Sequence, residues 1–348
     1  MKRLIVCCDG TWNRADQERN GSPCPTNVTK IAYRIAKRDP SGIPQIVFYD
    51  QGVGTGNALD RFTGGAFGAG LEDNIFGAYR FLIANFEPGD ELFLFGFSRG
   101  AFTARSIAGM IRKCGILDRL SVSLYADALR LYRDRGSHPD DPAPVKFREQ
   151  HSCGGAAAIP VQCIGVWDTV GSLGIPLRGL RWLTRQKHIF HDTELSGTVK
   201  YAFHALAIDE RRPPFEPTLW LEKPKPGQLV AQTWFPGVHS DVGGGYEKTH
   251  LSDITLQWMM DNAALAGLAC DQHVVDAFPL SGQSTGKLHE SRTGMYRLVS
   301  GFDRPIGLGY SQTVHPSAIE RWDADPSYRP TNLRDFFRNI GDARASAS

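Results

Sequence analysis

Residues 91–105, ELFLFGFSRGAFTAR, predict a buried strand, a tight turn and a helix in direct succession. The apolar run Leu92–Phe95 is too short for a helix and too apolar for a half-exposed strand, which indicates a central strand buried on both faces. After the turn, small and apolar residues recur at helical spacing from Ala101 to Ile111. A buried strand that leads directly into a helix is typical of a parallel α/β sheet.

The turn itself carries a pattern that is typical of nucleophilic serines. Residues 96–100 match G-x-S-x-G, with Ser98 at its centre. The two glycines leave room for a strained turn that exposes the serine hydroxyl at the carboxyl end of the strand. The pattern also occurs by chance, so the alternative is a serine in an ordinary strand-to-helix loop. The strand–turn–helix context favours a nucleophile elbow, and we predict Ser98 as a catalytic nucleophile.

The rest of the chain repeats the alternation of strands and helices. Further strands are predicted at Leu4–Cys8, Ile46–Tyr49, Val161–Trp167, Val199–Ile208 and Leu229–Phe235. Further helices are predicted at Asn27–Lys37, Leu71–Phe86, Ser121–Arg135 and from Asp253 to about Leu268, with a glycine-rich loop over residues 63–70. We therefore predict an α/β-hydrolase-like fold, with a mostly parallel central sheet, helices on both faces and functional residues at the carboxyl ends of the strands.

No repeat, low-complexity segment or linker divides the chain, so one domain is expected over residues 1–340. Segments 115–160, 175–197 and 270–315 are interpreted as insertions that cap the sheet edge, and residues 341–348 as a disordered tail. The composition of the 348 residues, 41% hydrophobic and 22% charged, is that of a globular protein. A net charge of +2 gives no field that favours nucleic acid, and no nucleic-acid partner is expected.

The seven cysteines contain no C-x-x-C pair, which excludes a zinc knuckle or redox motif of that type and favours a reducing compartment. The apolar run at the amino terminus ends at Asp9 without a small-residue cleavage site, so it predicts a strand rather than a signal peptide. We expect synthesis in the cytoplasm, and any export by a route that needs no amino-terminal signal. No cofactor is expected, because the glycine run over residues 52–56 lacks the spacing of a dinucleotide loop.

A serine hydroxyl needs a base within hydrogen-bond reach and a group that orients the base. Among ten histidines, His239 fits best, because it follows a predicted strand, lies in a glycine-rich turn and comes late in the chain. His315 is the second candidate. His204 falls inside a predicted strand, which favours a structural role.

Two aspartates compete for the orienting acid. Asp168 ends the strand that follows the elbow unit, and Asp209 ends the next strand, where many α/β-hydrolases carry their acid. Asp209 precedes Glu210 and two arginines, so a salt-bridge role is its alternative. Position alone leaves both aspartates open.

The oxyanion hole needs two main-chain N–H groups. We predict the N–H of Arg99 as one, because it follows the nucleophile, and that of Gly10 or Thr11, after the first strand, as the other. Asp9 and Asp241 also fall near this edge and are interpreted as braces for their turns. The alternative is a divalent cation that both carboxylates hold.

Five motifs, in this order, resemble those of the DUF2235 family of bacteria and fungi: residues 9–13 (DGTWN), 96–101 (GFSRGA), 166–170 (VWDTV), 207–210 (AIDE) and 234–244 (WFPGVHSDVGG). The resemblance covers roughly residues 1–265, and the family includes the Tle1-class phospholipase effectors of type VI secretion. It implies a Ser-Asp-His hydrolase in which the serine falls on Ser98 and the histidine on His239. Of the two aspartates, the spacing in the family fits Asp168 better than Asp209.

The leading hypothesis is therefore a serine hydrolase that cleaves a lipid-like or small ester, including phospholipids. One alternative is a metal-dependent phosphoesterase built on Asp9, Asp168 and Asp241. The other is a non-catalytic protein that binds lipids or partners. The basic segment from Arg178 to Phe190 has apolar residues interleaved and is interpreted as a solvated face, with transient contact to an anionic membrane surface as its alternative.

Overall fold

The computed structural model describes residues 1–10, 13–19, 21–52, 64–170, 195–307 and 309–346. The strands are β1 (Arg3–Cys8), β2 (Glu18–Arg19), β3 (Ser22–Pro23), β4 (Gln45–Asp50), β5 (Glu91–Phe97), β6 (Val161–Trp167), β7 (Val199–Ala207), β8 (Leu229–Phe235) and β9 (Gln312–Val314). Seven of them form a parallel sheet in the order β4-β1-β5-β6-β7-β8-β9, and β2 and β3 form a separate antiparallel ribbon. The predicted α/β-hydrolase-like fold class is confirmed.

Helices cover both faces of this sheet. In the described ranges they are α1 (Asn27–Arg34), α2 (Gly64–Asn85), α3 (Arg99–Cys114), α4 (Tyr125–Arg133), α5 (Pro142–His151), α6 (His239–Gly243), α7 (His250–Leu265), α8 (Gln272–Ala277), α9 (Pro316–Ala324) and α10 (Thr331–Asn339). Short 3-10 helices occupy Arg119–Leu124, Pro213–Phe215, Gly294–Leu298 and Ala343–Ser346. No helix in the described ranges is long and apolar enough to cross a membrane.

The elbow strand is buried on both faces because its side chains alternate between two cores. Leu92 and Leu94 pack with residues of α2 and α3 on one face. Phe93 and Phe95 pack with residues of α1 and α7 on the other face. The unbroken apolar run of β5 therefore follows from its central position, as predicted.

The parallel register brings the residues that follow each strand to one edge of the sheet. Ser98 N–H donates to Trp167 O at 3.0 Å, and Asp168 N–H donates to Ala205 O at 2.8 Å. Each of these residues thus still hydrogen-bonds to the neighbouring strand. This edge carries the candidate functional residues of β1, β5, β6 and β8.

Several elements differ from the sequence-based expectations. The predicted glycine-rich loop over 63–70 is wrong for residues 64–70, because α2 begins at Gly64. Glycines lower helix propensity, but the apolar face of this helix packs on the sheet from Ile75 to Ile83 and that packing prevails. The strand predicted at 199–208 ends one residue earlier, at Ala207, and the helix predicted from Asp253 begins three residues earlier, at His250.

The carboxyl-terminal segment is more ordered than its weak sequence pattern indicates. The predicted insertion 270–315 ends in β9, which pairs with β8 and is part of the sheet. The predicted disordered tail, 341–348, contains a 3-10 helix, and Arg344 pairs there with Asp323 at 3.0 Å and Asp342 at 2.9 Å. A third apolar cluster explains this order; it includes Trp234, Trp322, Leu333 and Phe337. Most of the predicted insertion 175–197 lies outside the described residues.

Candidate active site at the carboxyl ends of the strands

Ser98 lies in a strained turn between β5 and α3. Its backbone has φ 59° and ψ −120°, a conformation that non-glycine residues rarely adopt. Two glycines make the turn sterically feasible. A Cβ on Gly96 would lie 2.4 Å from Gly100 O, and a Cβ on Gly100 would lie 2.1 Å from Cys8 O. The G-x-S-x-G pattern therefore reflects close backbone approach on both sides of the serine.

Asp168 and His239 form a buried pair at the same edge. The Nδ1 atom of His239 lies 2.5 Å from Oδ2 of Asp168, and the Asp168 side chain is fully buried. Asp168 also has a positive φ, 40°, directly after β6. A carboxylate on Nδ1 orients the imidazole and leaves Nε2 to act as a base.

Burial alone raises the pKa of Asp168, but the charge of Arg304 and the hydrogen bonds of His239 and Arg304 outweigh it and hold that pKa well below its usual range. For His239, burial lowers the pKa below its usual 6.5 and exceeds the opposing effect of Asp168. The pair is therefore an ionised carboxylate beside a neutral imidazole at neutral pH.

Aromatic rings hold the imidazole on two sides. The Phe97 ring lies 4.6 Å from it and the Phe215 ring packs edge-on at 4.9 Å, both between centroids. The main-chain N–H of His239 donates to Oε2 of Glu210 at 3.3 Å. Among the described contacts no hydrogen bond joins the Ser98 hydroxyl to this ring, although the ring packs on the residue that precedes the serine. Catalytic hydrogen bonds often tighten only when substrate binds.

Asp209, the alternative acid, faces a different set of groups. Its Oδ2 accepts from Gly237 N–H at 2.6 Å and from the Tyr328 hydroxyl at 3.0 Å. Burial raises the pKa of Asp209 to about 7. Asp209 thus connects the β8–α6 turn to the loop between α9 and α10 that carries Tyr328, while Asp168 contacts the histidine.

Arg304 is a residue of the candidate site that the sequence did not reveal. It is 1% exposed, and it donates to both carboxylate oxygens of Asp168, at 2.7 Å to Oδ1 and 3.0 Å to Oδ2. The segment around it has no regular secondary structure. Its sequence signal is a single arginine between exposed neighbours, which does not distinguish it from a surface residue.

Of the three predicted oxyanion-hole residues, the structure describes Arg99 and Gly10. The main chain of Arg99 begins α3 directly after Ser98. A Cβ on Gly10 would lie 3.3 Å from Ser98 Cβ, so Gly10 is close to the serine. However, the Gly10 N–H donates to Oδ1 of Asp9 at 2.6 Å. Thr11 lies outside the described residues.

The carboxylates of Asp9 and Asp241 each have separate protein partners. Asp9 accepts from Gly10 N–H and from three hydroxyls, those of Thr26, Thr29 and Tyr49, at 2.7–3.0 Å. Asp241 accepts from Val238 N–H at 3.1 Å and lies 2.6 Å from His289 Nδ1. Both carboxylates therefore brace turns. In the described part of the chain, no group of three or more His, Cys, Asp or Glu side chains is arranged to hold a metal ion.

The other two histidines weighed in the sequence analysis, His315 and His204, serve local structure. His315 caps α9, because its Nδ1 accepts the Ser317 main-chain N–H at 3.2 Å; the same Nδ1 lies 2.9 Å from the Ser317 hydroxyl. His204 is fully buried and accepts the Thr169 N–H on Nε2 at 3.1 Å. Burial lowers the pKa of His204 to about 3, so it stays neutral and supports the turn that carries Asp168.

Comparisons with known proteins identify the family of this chain. A family described as "T6SS, Phospholipase effector Tle1-like, catalytic domain" matches residues 2–262. The Saccharomyces cerevisiae "Uncharacterized protein YEL023C" is 30% identical over 255 residues, which are 67% of this chain and 35% of the yeast protein.

Two solved structures are more distantly similar. An uncharacterized protein from Pseudomonas aeruginosa has 18% identity and a TM-score of 0.47, over 97% of this chain and 53% of that one. A Tle1 effector bound to the VgrG spike of the type VI secretion system has 21% identity and a TM-score of 0.42, over 71% of this chain and 51% of that one. The chain thus spans about a third of the yeast relative and about half of each solved chain. Because the family match covers most of its length, the chain belongs to the family of Tle1-like phospholipase effector catalytic domains.

Proposed function

We propose that this protein is a serine hydrolase that cleaves a carboxylic ester through an acyl-enzyme on Ser98. His239 is the base, and Asp168 is the acid that orients it. The observation that carries the proposal is the 2.5 Å contact between Asp168 and His239, next to the strained serine turn. A histidine oriented by a buried carboxylate next to a serine in a nucleophile-elbow turn has one common chemical use, the activation of that serine.

The proposed chemistry follows from an ionised Asp168 beside a neutral His239. Neutral His239 takes the proton of the Ser98 hydroxyl on Nε2 as the oxygen attacks the ester carbonyl. The resulting tetrahedral intermediate collapses when the imidazolium gives that proton to the departing alcohol. Water then attacks the acyl-serine with His239 again as base, which releases the carboxylic acid and restores the serine. Ionised Asp168 stabilises the imidazolium in both halves of the reaction.

The N–H of Arg99 is proposed as one oxyanion donor, because it opens α3 at the serine and the helix dipole favours negative charge there. The second donor is proposed among Gly10 and Thr11. Since the Gly10 N–H donates to Asp9, its use requires a shift of that carboxylate.

We propose a lipid-like ester as the substrate, including a phospholipid cleaved in the manner of a phospholipase A. The family description, a phospholipase effector catalytic domain, supports this class of substrate. The same description supports export by the type VI route, without an amino-terminal signal. Contact of Arg178–Phe190 with an anionic membrane falls outside the described residues and stays a prediction.

The test compares wild type with Ser98→Ala and Ser106→Ala. Ser106 serves as the control, because it is fully buried in α3, the helix that follows Ser98. Each is assayed on p-nitrophenyl esters, on phospholipid vesicles and with a fluorophosphonate probe. We expect turnover and labelling in wild type and Ser106→Ala, and loss of both in Ser98→Ala, on the order of 10³-fold or more. Activity that survives Ser98→Ala but disappears with a chelator would instead indicate a metal-dependent phosphoesterase. A folded wild type without activity on any ester would indicate a binding protein.

A further inference from the structure

Arg304 reaches the Asp168–His239 pair from outside the segment that matches the family. It lies between the 3-10 helix Gly294–Leu298 and β9, whereas the match ends at residue 262. Its two terminal nitrogens donate hydrogen bonds to the two oxygens of the Asp168 carboxylate, at 2.7 and 3.0 Å. A planar guanidinium that holds a carboxylate in this way fixes the plane and the direction of that carboxylate.

The guanidinium is itself fixed by main-chain oxygens. It donates to Ala207 O at 2.9 Å and to Phe215 O. Phe215 is the residue whose ring packs edge-on against His239. Arg304 therefore connects the carboxylate to an aromatic wall of the histidine.

The main chain around Arg304 is held to the residues that follow β7. Phe302 N–H donates to Arg211 O at 2.9 Å. Asn332 Nδ2 bridges Ile208 O at 2.9 Å and Arg304 O at 3.1 Å. The hydrogen bonds from Arg304 to Asp168 are thus supported by a main chain that is itself hydrogen-bonded, which leaves Arg304 little freedom to change its position.

On this geometry, and given the proposed hydrolase, we propose that Arg304 is a positioning residue of the reaction. Its guanidinium holds the Asp168 carboxylate in the orientation from which Oδ2 meets Nδ1 of His239. Its positive charge also offsets part of the negative charge of Asp168, which would otherwise act on the imidazole alone. The catalytic unit therefore extends beyond residues 2–262 and includes the carboxyl-terminal segment.

The other charged groups around the pair do not take this role. Glu210 and Arg212 face His239, but they pair with each other, at 2.8 Å between Oε2 and a guanidinium nitrogen. His204 lies near Asp168 and is neutral, with its Nε2 on the Thr169 N–H. Among the described residues, Arg304 is the cation that contacts the Asp168 carboxylate.

The experiment compares wild type with Arg304→Lys and Arg304→Ala. Arg148→Ala is the matched control, because Arg148 is 2% exposed and its described hydrogen bonds all go to main-chain carbonyls far from the pair, such as those of Lys113 and Pro139. Two quantities are measured across pH: the rate at which a fluorophosphonate labels Ser98, and the pKa of the His239 ring by NMR. Folding of each variant is monitored by circular dichroism.

We expect labelling to slow in Arg304→Ala by on the order of a hundredfold, because the acid loses its fixed orientation. The His239 pKa should rise in the same variant, since the Asp168 charge is no longer shared with a cation. Added guanidinium should restore part of the rate in Arg304→Ala and none in Arg148→Ala. Arg304→Lys keeps the positive charge but not the planar pair of donor nitrogens, so its labelling rate should fall with little change in the His239 pKa.

Wild-type labelling in a folded Arg304→Lys and Arg304→Ala would overturn the inference. So would equal losses in Arg304→Ala and Arg148→Ala with an unchanged His239 pKa. If Arg304→Ala does not fold, the rate of folded Arg304→Lys decides the question. If wild type itself neither labels nor hydrolyses esters, the proposed function fails, and the His239 pKa then tests the Arg304 contact without any substrate.

Discussion

His239 is kept neutral by its surroundings, and this determines how the proposed reaction should depend on pH. Burial lowers its pKa below 6.5 despite the adjacent carboxylate. A general base acts only when it is unprotonated, so a lowered pKa extends activity toward acid. Ionised Asp168 places no further limit there, because its own pKa is held far lower.

We therefore expect kcat/KM on a p-nitrophenyl ester to be constant near neutral pH and to fall on the acid side with a midpoint below about 6.5. Beyond that midpoint the rate should drop about tenfold per pH unit. The measurement is the pH profile of wild type, corrected for hydrolysis without protein. A midpoint at or above pH 7 would mean that His239 is not the buried neutral base described above.

At the level of elements, the contact between the elbow turn and β1 determines whether the serine turn can form. A Cβ on Gly100 would lie 2.1 Å from Cys8 O and 2.4 Å from Asp9 O, which are main-chain atoms of the neighbouring strand and its turn. Main-chain atoms in a central strand cannot move aside cheaply.

Gly100→Ala should therefore lower the free energy of unfolding by more than about 2 kcal/mol and slow the labelling of Ser98. Gly77→Ala is the matched control, because Gly77 lies inside α2 and a Cβ there would have its nearest neighbour at 3.7 Å. That control should gain about 0.5–1 kcal/mol. Both values come from urea denaturation. Equal stability of the two variants would argue against the close approach at Gly100.

The buried central strands were predictable from sequence, because their position in the sheet requires long apolar runs. The apolar run of β5 is buried on both faces, so every one of its residues carries the pattern. The start of α2 was not predictable, because its glycines favour a loop and only the packing of its later turns makes it helical. The carboxyl-terminal helices pack on a small separate cluster, which leaves a weak periodic signal.

Across the whole molecule, the candidate site is assembled from segments that are far apart in sequence. Ser98, Asp168 and His239 follow three different strands, and their places after strand ends made them candidates, although position alone left Asp168 and Asp209 open. Arg304 comes 136 residues after its partner Asp168, from a segment without regular structure. No local pattern encodes such a contact, so it could be found only in three dimensions.

The choice between Asp168 and Asp209 is the point at which sequence position was insufficient and geometry is informative. Both aspartates follow neighbouring strands, but of the two only Asp168 has a described hydrogen bond to the His239 ring. Asp209 hydrogen-bonds to Gly237 and Tyr328, contacts that an asparagine can also accept.

The most direct test is the rate at which a fluorophosphonate labels Ser98 in Asp168→Asn and in Asp209→Asn. Each change keeps the size of the side chain and replaces the carboxyl group by an amide that cannot ionise. We expect Asp168→Asn to lose on the order of 10⁴-fold, because an amide at that position favours the wrong tautomer of His239. Asp209→Asn should stay within a few-fold of wild type. A near-normal rate in folded Asp168→Asn, or a larger loss in Asp209→Asn, would contradict the assignment of Ser98, His239 and Asp168 as one catalytic unit.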